Sequence, residues 1–350
     1  MDRSLGMVFL RVIIARKDSD SDEKKETVKD FREQISIMEQ LLASLKSLHS
    51  SAFKSWFFGQ EYISLEYVAH QDELYFYVVV PKKSKLLVEK QIIGFYPDCL
   101  IEETQEVNIF ENRATVRGEI MMMKKGPEFP IRTYTKLESD SMNGLLSALG
   151  SLDHDESACI QILLRPVDDD WQESIRKMIR KTEKKNGGHF HFSLNPLSWI
   201  GSIISMVVSD PEDSMKHSEE DKNEGEEPVD EEGLMKEKIK KTGYATTIRI
   251  VVTGNDETST EAELKSIISA FSQFASPTYN RFKPMKRKSL SLLVEHYIFR
   301  QFAWWQRAPI LNSEELATLY HFPHSKYNKQ PEIRWQRFKV VKAPVNTPKE

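Results

Sequence analysis

Two histidine pairs have spacings that could clip a metal ion: His189 and His191, two residues apart, and His321 and His324, three apart. Such a site is completed by cysteines or by carboxylates in register, and neither pair has them, so no metal site is expected. Asp168, Asp169 and Asp170 are of a type that does acid–base chemistry. A run of acids opening a helix, however, is what the helix dipole favours, and that reading is preferred. Gly187-Gly188 lies in a lysine-rich stretch and reads as a turn rather than a phosphate cradle. The sequence contains no GxxxxGK[ST] loop, no GxGxxG after a strand, no GxSxG and no HExxH. No catalytic residue and no cofactor are therefore expected. The two cysteines, Cys99 and Cys159, sit in strand-like contexts and read as reduced thiols of an intracellular protein.

Two other groups of residues point to binding. Arg281, Lys283, Lys286, Arg287 and Lys288 form a basic cluster, and Tyr279, Phe282, Trp304, Trp305 and Trp335 supply aromatic rings. Cations interleaved with stacking rings suit single-stranded nucleic acid, although a solvated basic loop beside core aromatics has the same composition. The region from Ser276 onward carries fourteen Lys/Arg against five Asp/Glu, whereas residues 210–232 carry twelve acids against two lysines. Leu194–Val208 reads as an apolar helix with Asn195 as N-cap and Pro196 at its first position. Its small residues Ser198, Gly201, Ser202 and Ser205 would let another helix approach closely. At about 20 Å it is too short to cross a bilayer of about 30 Å. Burial, docking of a partner helix and peripheral membrane contact through Trp199 all stay open for it.

These residues must be positioned by the elements around them. Apolar alternation predicts strands at Met7–Ala15, Tyr62–His70, Leu74–Val80 and Cys99–Glu103, and helical spacing predicts helices over 28–48 and from Leu86 to Ile93. The order is β-α-β-β-α-β. It returns with strands at Ala114–Met123, Ala158–Leu164, Ala245–Thr253 and near Tyr279–Lys283, and helices at Met142–Leu149 and Glu261–Phe274, the latter with Thr258 and Glu261 as a capping box. The expected fold is α+β: two tandem ferredoxin-like βαββαβ units, with helices crossing over between parallel neighbours. Residues 1–110 would form the first unit, and 111–166 with 243–284 the second. Residues 167–242 would be an insertion with a charged helix at Asp168–Lys185 and a disordered acidic linker at 209–233. Residues 285–350 would be an aromatic, basic segment with helices near Leu290–Trp304 and Ser313–Tyr320.

Three stretches carry a resemblance. Ala245–Thr253 with the helix ending Phe271-Ser272-Gln273-Phe274 and Asn280, the run Leu311–Pro323 followed by Pro331, Ile333 and Trp335, and Phe95–Glu102 are together similar to the non-motor region of bacterial type IV secretion and conjugation-type DNA-transfer ATPases. In that family a RecA-like motor with a Walker A loop follows, and this chain stops where that motor would begin. The resemblance thus implies an accessory or adaptor component without ATPase activity. Leu316, Tyr320, His321, Phe322 and Pro323, with the small-residue helix, would dock a separate ATPase or other secretion-system subunit. The implied location is the cytoplasm, at the inner face of the cell membrane. The alternative from the residues themselves is a stand-alone nucleic-acid-binding module using the basic, aromatic C-terminal region, with DNA as partner.

Overall fold

The computed structural model describes residues 6–16, 30–48, 61–111, 113–186, 231–285, 289–302 and 308–336. The first half contains β1 (Met7–Ile13), α1 (Phe31–Ser44), β2 (Ile63–His70), β3 (Glu73–Pro81), α2 (Lys85–Phe95) and β4 (Leu100–Thr104). The second contains β5 (Thr115–Met123), α3 (Met142–Gly150), β6 (Ser157–Pro166), α4 (Asp170–Asn186), α5 (Glu231–Lys238), β7 (Gly243–Gly254), α6 (Glu257–Ala270) and β8 (Phe282–Pro284). The chain then adds α7 (Leu290–Ile298), β9 (Ile310–Asn312) and α8 (Ser313–Leu319). None of the helices among the described residues is long and apolar enough to cross a membrane.

All nine strands join one sheet in the order β4-β1-β3-β2-β6-β7-β5-β8, with β9 beside the start of β7. Every ladder is antiparallel. The expectation of parallel neighbours is corrected here: each helical crossover hops over one intervening strand, so the strands it joins never pair with each other. The two halves meet where β2 pairs β6 along its whole length, from Ile63 opposite Leu164 to His70 opposite Ser157.

The central strands β2, β6 and β7 are buried on both faces, which is why they read as near-continuous apolar runs. One face carries the main core. On it α1 turns Phe31, Ile35, Met38, Leu41 and Leu42 inward, a stripe that recurs at helical spacing. Asp30 caps α1 by accepting from Arg32 N–H. Helices α2, α3, α6 and α8 complete this layer, with α8 against α1 and α3 against α6. The other face is covered over β5, β6 and β7 by α7 through Leu293 and Tyr297. Gly118 on β5 makes that approach possible, because a Cβ there would lie 2.8 Å from the Ile250 carbonyl oxygen and 3.0 Å from Leu293. A third small cluster joins Trp171, Ile175 and Ile179 of α4 to Met235 of α5 and Ile239.

Some boundaries differ from the sequence reading. Helix α6 begins at Glu257, four residues before the predicted start at Glu261, and its cap is Asp256, two residues before the Thr258 read from the capping box. Helix α5 begins at Glu231, so the last residues of the proposed acidic linker are helical; Glu231 and Glu232 occupy the first turn, where negative charge is favoured. The remainder of that linker and the helix predicted at 194–208 lie outside the described residues.

The β2–β3 turn is under local strain. Gln71 and Asp72 have φ of 52° and 59°, the left-handed backbone that a two-residue hairpin turn demands and that Asn-Gly adopts most easily. Replacing Gln71→Asn together with Asp72→Gly is expected to stabilise the protein by about 1 kcal/mol. Chemical denaturation read by far-UV circular dichroism checks this, and an unchanged or lower midpoint would contradict it.

Candidate functional site

The least ordinary chemistry in this fold is ionic and lies inside it. On the face under α7, one row of directly opposed residues crosses seven strands. It runs Glu102 (β4), Arg11 (β1), Tyr77 (β3), Glu66 (β2), Gln161 (β6), Arg249 (β7) and Ile120 (β5). Six of the seven side chains are polar, and Glu66, Gln161 and Arg249 at the centre are 1 %, 0 % and 0 % exposed. A buried charge is tolerated only when it is paired and hydrogen-bonded. The partner of Glu66 comes from beyond α7: Arg300 Nε donates to Glu66 Oε1 at 2.8 Å and Nη2 to Oε2 at 3.0 Å, a two-pronged contact. Ser64 Oγ and Gln161 Nε2 also donate to Glu66 Oε1, at 2.6 and 3.1 Å. Arg300 Nη2 reaches Glu106 Oε1 at 2.7 Å. Burial disfavours the charged guanidinium, but Glu66 and Glu106 outweigh that and raise the Arg300 pKa.

Arg249 has neutral acceptors as its hydrogen-bond partners among the described residues. Its Nη1 donates to Gln161 Oε1 at 2.8 Å and to the His296 carbonyl at 3.1 Å, and its Nη2 donates to the Gln301 carbonyl. Burial pushes its pKa down to about 9. Arg300 itself has φ of 48° just after the end of α7, a position that glycine usually fills. The backbone strain is accepted because the side chain is needed on Glu66.

Two more buried charged clusters lie on the opposite face. Lys238 Nζ sits 3.1 Å from Glu315 Oε2, with both side chains fully buried. Glu315 also completes the Asn312 capping box of α8 and accepts from Ile131 N–H at 3.0 Å, so one carboxylate ties together α5, α8 and the loop after β5. His321 Nε2 lies 3.0 Å from Asp140 Oδ1, while its Nδ1 lies 2.9 Å from the Ala317 carbonyl. Both ring nitrogens thus face oxygen atoms. Asn328 Nδ2 donates to Asp140 Oδ2 at 3.0 Å and Met142 N–H to Oδ1 at 2.8 Å. Burial alone would raise the Asp140 pKa, but the His321 charge and these hydrogen bonds bring it below the usual carboxylate value.

The expected docking residues must be revised in this light. Leu316, Tyr320, His321, Phe322 and Pro323 are buried in the main core, where Tyr320 packs on Tyr67 and Phe322 on Tyr96. They hold α8 to the sheet and present no exposed docking face. His321 and His324 are both buried, and His321 is engaged by Asp140 and a carbonyl. Arg281 and Lys283 are exposed at the β8 edge, next to exposed Lys124, whose N–H donates to the Arg281 carbonyl. Lys286, Arg287 and Lys288, the small residues Ser198, Gly201, Ser202 and Ser205, and His189 and His191 lie outside the described residues. Asp169 and Asp170 open α4, and Asp169 pairs with Lys46 across the fold. Among the described residues no group of three or more His, Cys, Asp or Glu could hold a metal ion.

A cleft of about 830 Å³ lies at the end of the sheet between the strained β2–β3 turn and residues 325–335. Arg16, Asp72, Glu73, Lys329, Glu332 and Arg334 give it both signs of charge. Residues 332–336 cross it as a strap. Leu74 N–H donates to the Glu332 carbonyl at 2.9 Å, and Gln336 N–H donates to the Ile14 carbonyl at 3.0 Å, with Arg16 N–H returning to Gln336 at 3.2 Å.

The sequence pattern of a family described as a domain of unknown function, DUF8128, matches residues 26–336. The chain belongs to that family. The match takes in every element from α1 to the strap, so the three buried ionic clusters fall wholly within the family's domain. A search of curated proteins gives no match.

Removing one partner of a buried, two-pronged ion pair leaves the other charged and unpaired. Arg300→Met is therefore expected to cost about 3–5 kcal/mol, although it keeps the side-chain volume. Glu66→Leu in the same chain should recover much of that loss; urea denaturation of the single and double variants checks both, and a loss below about 1 kcal/mol in the single variant would contradict the assignment. The lowered Asp140 pKa has a pH signature. A folded value below the unfolded one contributes stability above about pH 4 that is lost as the pH falls through the folded pKa. Asp140→Asn should lower stability near neutral pH and flatten the stability–pH curve below about pH 4, and a curve parallel to that of the parent would refute it.

Proposed function

We propose that this chain is a non-catalytic accessory or adaptor component of a DNA-transfer system of the type IV secretion and conjugation kind, and that it docks an ATPase motor or another subunit at the cleft end of its sheet. The observation that carries the reading is the strap. Residues 332–336 are hydrogen-bonded to the ends of β1 and β3, so their position relative to the sheet is fixed by backbone rather than by side chains alone. In the DNA-transfer ATPases that the sequence resembles, this same run comes just before the motor. A strap stapled to a nine-stranded sheet is a rigid seat from which a neighbouring unit can be held in one orientation.

The architecture supports a scaffolding role. Counted within each half, the strands lie in the order 4-1-3-2, once as β4-β1-β3-β2 and once as β8-β5-β7-β6. We read these halves as tandem ferredoxin-like units, a fold that hosts many functions, so the function must be argued from the strap and not from the fold. The buried ionic groups are paired with one another inside the fold.

The test is affinity purification of the full chain from cells that also express a P-loop ATPase of a DNA-transfer system. The ATPase is expected to co-purify, and reversing charge on the strap with Glu332→Lys and Arg334→Glu is expected to reduce its recovery without lowering Tm. A strictly monomeric protein that recovers no ATPase, or recovery indifferent to the strap, would contradict the reading.

A further inference from the structure

Among the described residues only five large apolar side chains are prominently exposed, and three of them, Leu86, Leu87 and Ile93, lie on α2. Their exposures are 63 %, 40 % and 49 %. The helix buries Val88 and Ile92 against the protein, so its opposite side is a separate face. At 100° per residue, Leu86, Lys90, Ile93, Gly94 and Leu87 fall on that face, with Lys90 at its middle. The 82–95 segment carries Lys82, Lys83, Lys85 and Lys90 against a single acid, Glu89. Lys85 is held by Glu89 and Glu103, and Lys83 by Glu61. Lys82 and Lys90 are exposed.

We infer that the outer face of α2 rests on an anionic lipid surface. Two features favour lipid over a protein partner. Three apolar side chains fall well short of the roughly 800 Å² per partner that a stable protein interface buries. A lysine at the centre of the patch is also the residue that interface cores avoid. At a bilayer surface both features fit: leucine and isoleucine enter the headgroup boundary, the Lys90 stem lies among them, and its ammonium reaches anionic headgroups. The flanking lysines add electrostatic attraction that weakens with salt. The contact is independent of the strap. It also differs from the membrane contact considered for 194–208, because it uses a helix that the core holds in place.

The experiment is co-sedimentation of the full chain with vesicles of phosphatidylcholine, with and without phosphatidylglycerol. Binding is expected only to vesicles containing phosphatidylglycerol and is expected to fall as salt rises. Lys82→Glu with Lys90→Glu should weaken it by more than about tenfold. Leu86→Ser with Ile93→Ser should weaken it comparably, and because all four positions are exposed, Tm should hold in both variants. No binding to anionic vesicles at low salt would overturn the inference. So would vesicle binding indifferent to both pairs of substitutions, or loss of a protein complex, rather than of vesicle binding, when these residues are changed.

Discussion

A single buried polar row holds the two halves of this protein in one sheet. Glu66 on β2 and Gln161 on β6 face each other across the junction of the halves, and Arg249 follows on β7. An apolar seam of the same length would bury as much surface, but it would tolerate a register slip more readily. A slip of one residue would leave the Glu66 carboxylate without Gln161 and Arg300, and an unpaired buried charge is among the most costly errors a core can contain. The row thus specifies one register for the β2–β6 ladder. The cost is a core that depends on a side chain arriving from far along the chain, since Arg300 lies 234 residues from Glu66.

That dependence recurs. The three buried ionic clusters close on Arg300, Glu315 and His321, all contributed by the last part of the described chain. The partners come from β2, from α5 and from the approach to α3. The C-terminal segment therefore acts as a clasp: α7 covers one face of the sheet, α8 packs into the other, and the strap ties the sheet's end. Folding must bring contacts of very large sequence separation together before any of these charges is paired, which places this protein at the slow end of the topological range.

Much of the strand and helix order was legible because the apolar periodicity is strong: β2, β3, β5, β6, β7, α1 and α3 fall within a few residues of their predicted bounds. The candidate site was not legible, for a physical reason. Glu66, Gln161 and Arg249 sit at alternate positions of apolar strands, and alternation places such residues on a solvent face. In the folded chain that face is closed by α7 and by residues 299–302, and a sequence pattern does not reveal a cover contributed from so far away. The Leu316–Pro323 run failed in the opposite sense. Its resemblance to the segment that precedes the motor in DNA-transfer ATPases suggested a docking motif, whereas Tyr320 and Phe322 pack against Tyr67 and Tyr96. Arg300 gave no warning either, because the sequence pattern predicts a helix that runs on to Trp304, and its φ of 48° just past Ile298 is visible only in the folded chain.

Native-state hydrogen exchange of the amides of β2, β3, β6 and β7, measured along a denaturant series, tests directly whether the polar row makes the halves one cooperative unit. If it does, the slowest amides on both sides of the β2–β6 ladder share a single opening free energy equal to that of global unfolding. An opening of β6 and β7 at markedly lower free energy, with β2 and β3 still protected, would show that the halves unfold separately and that the row does not bind them.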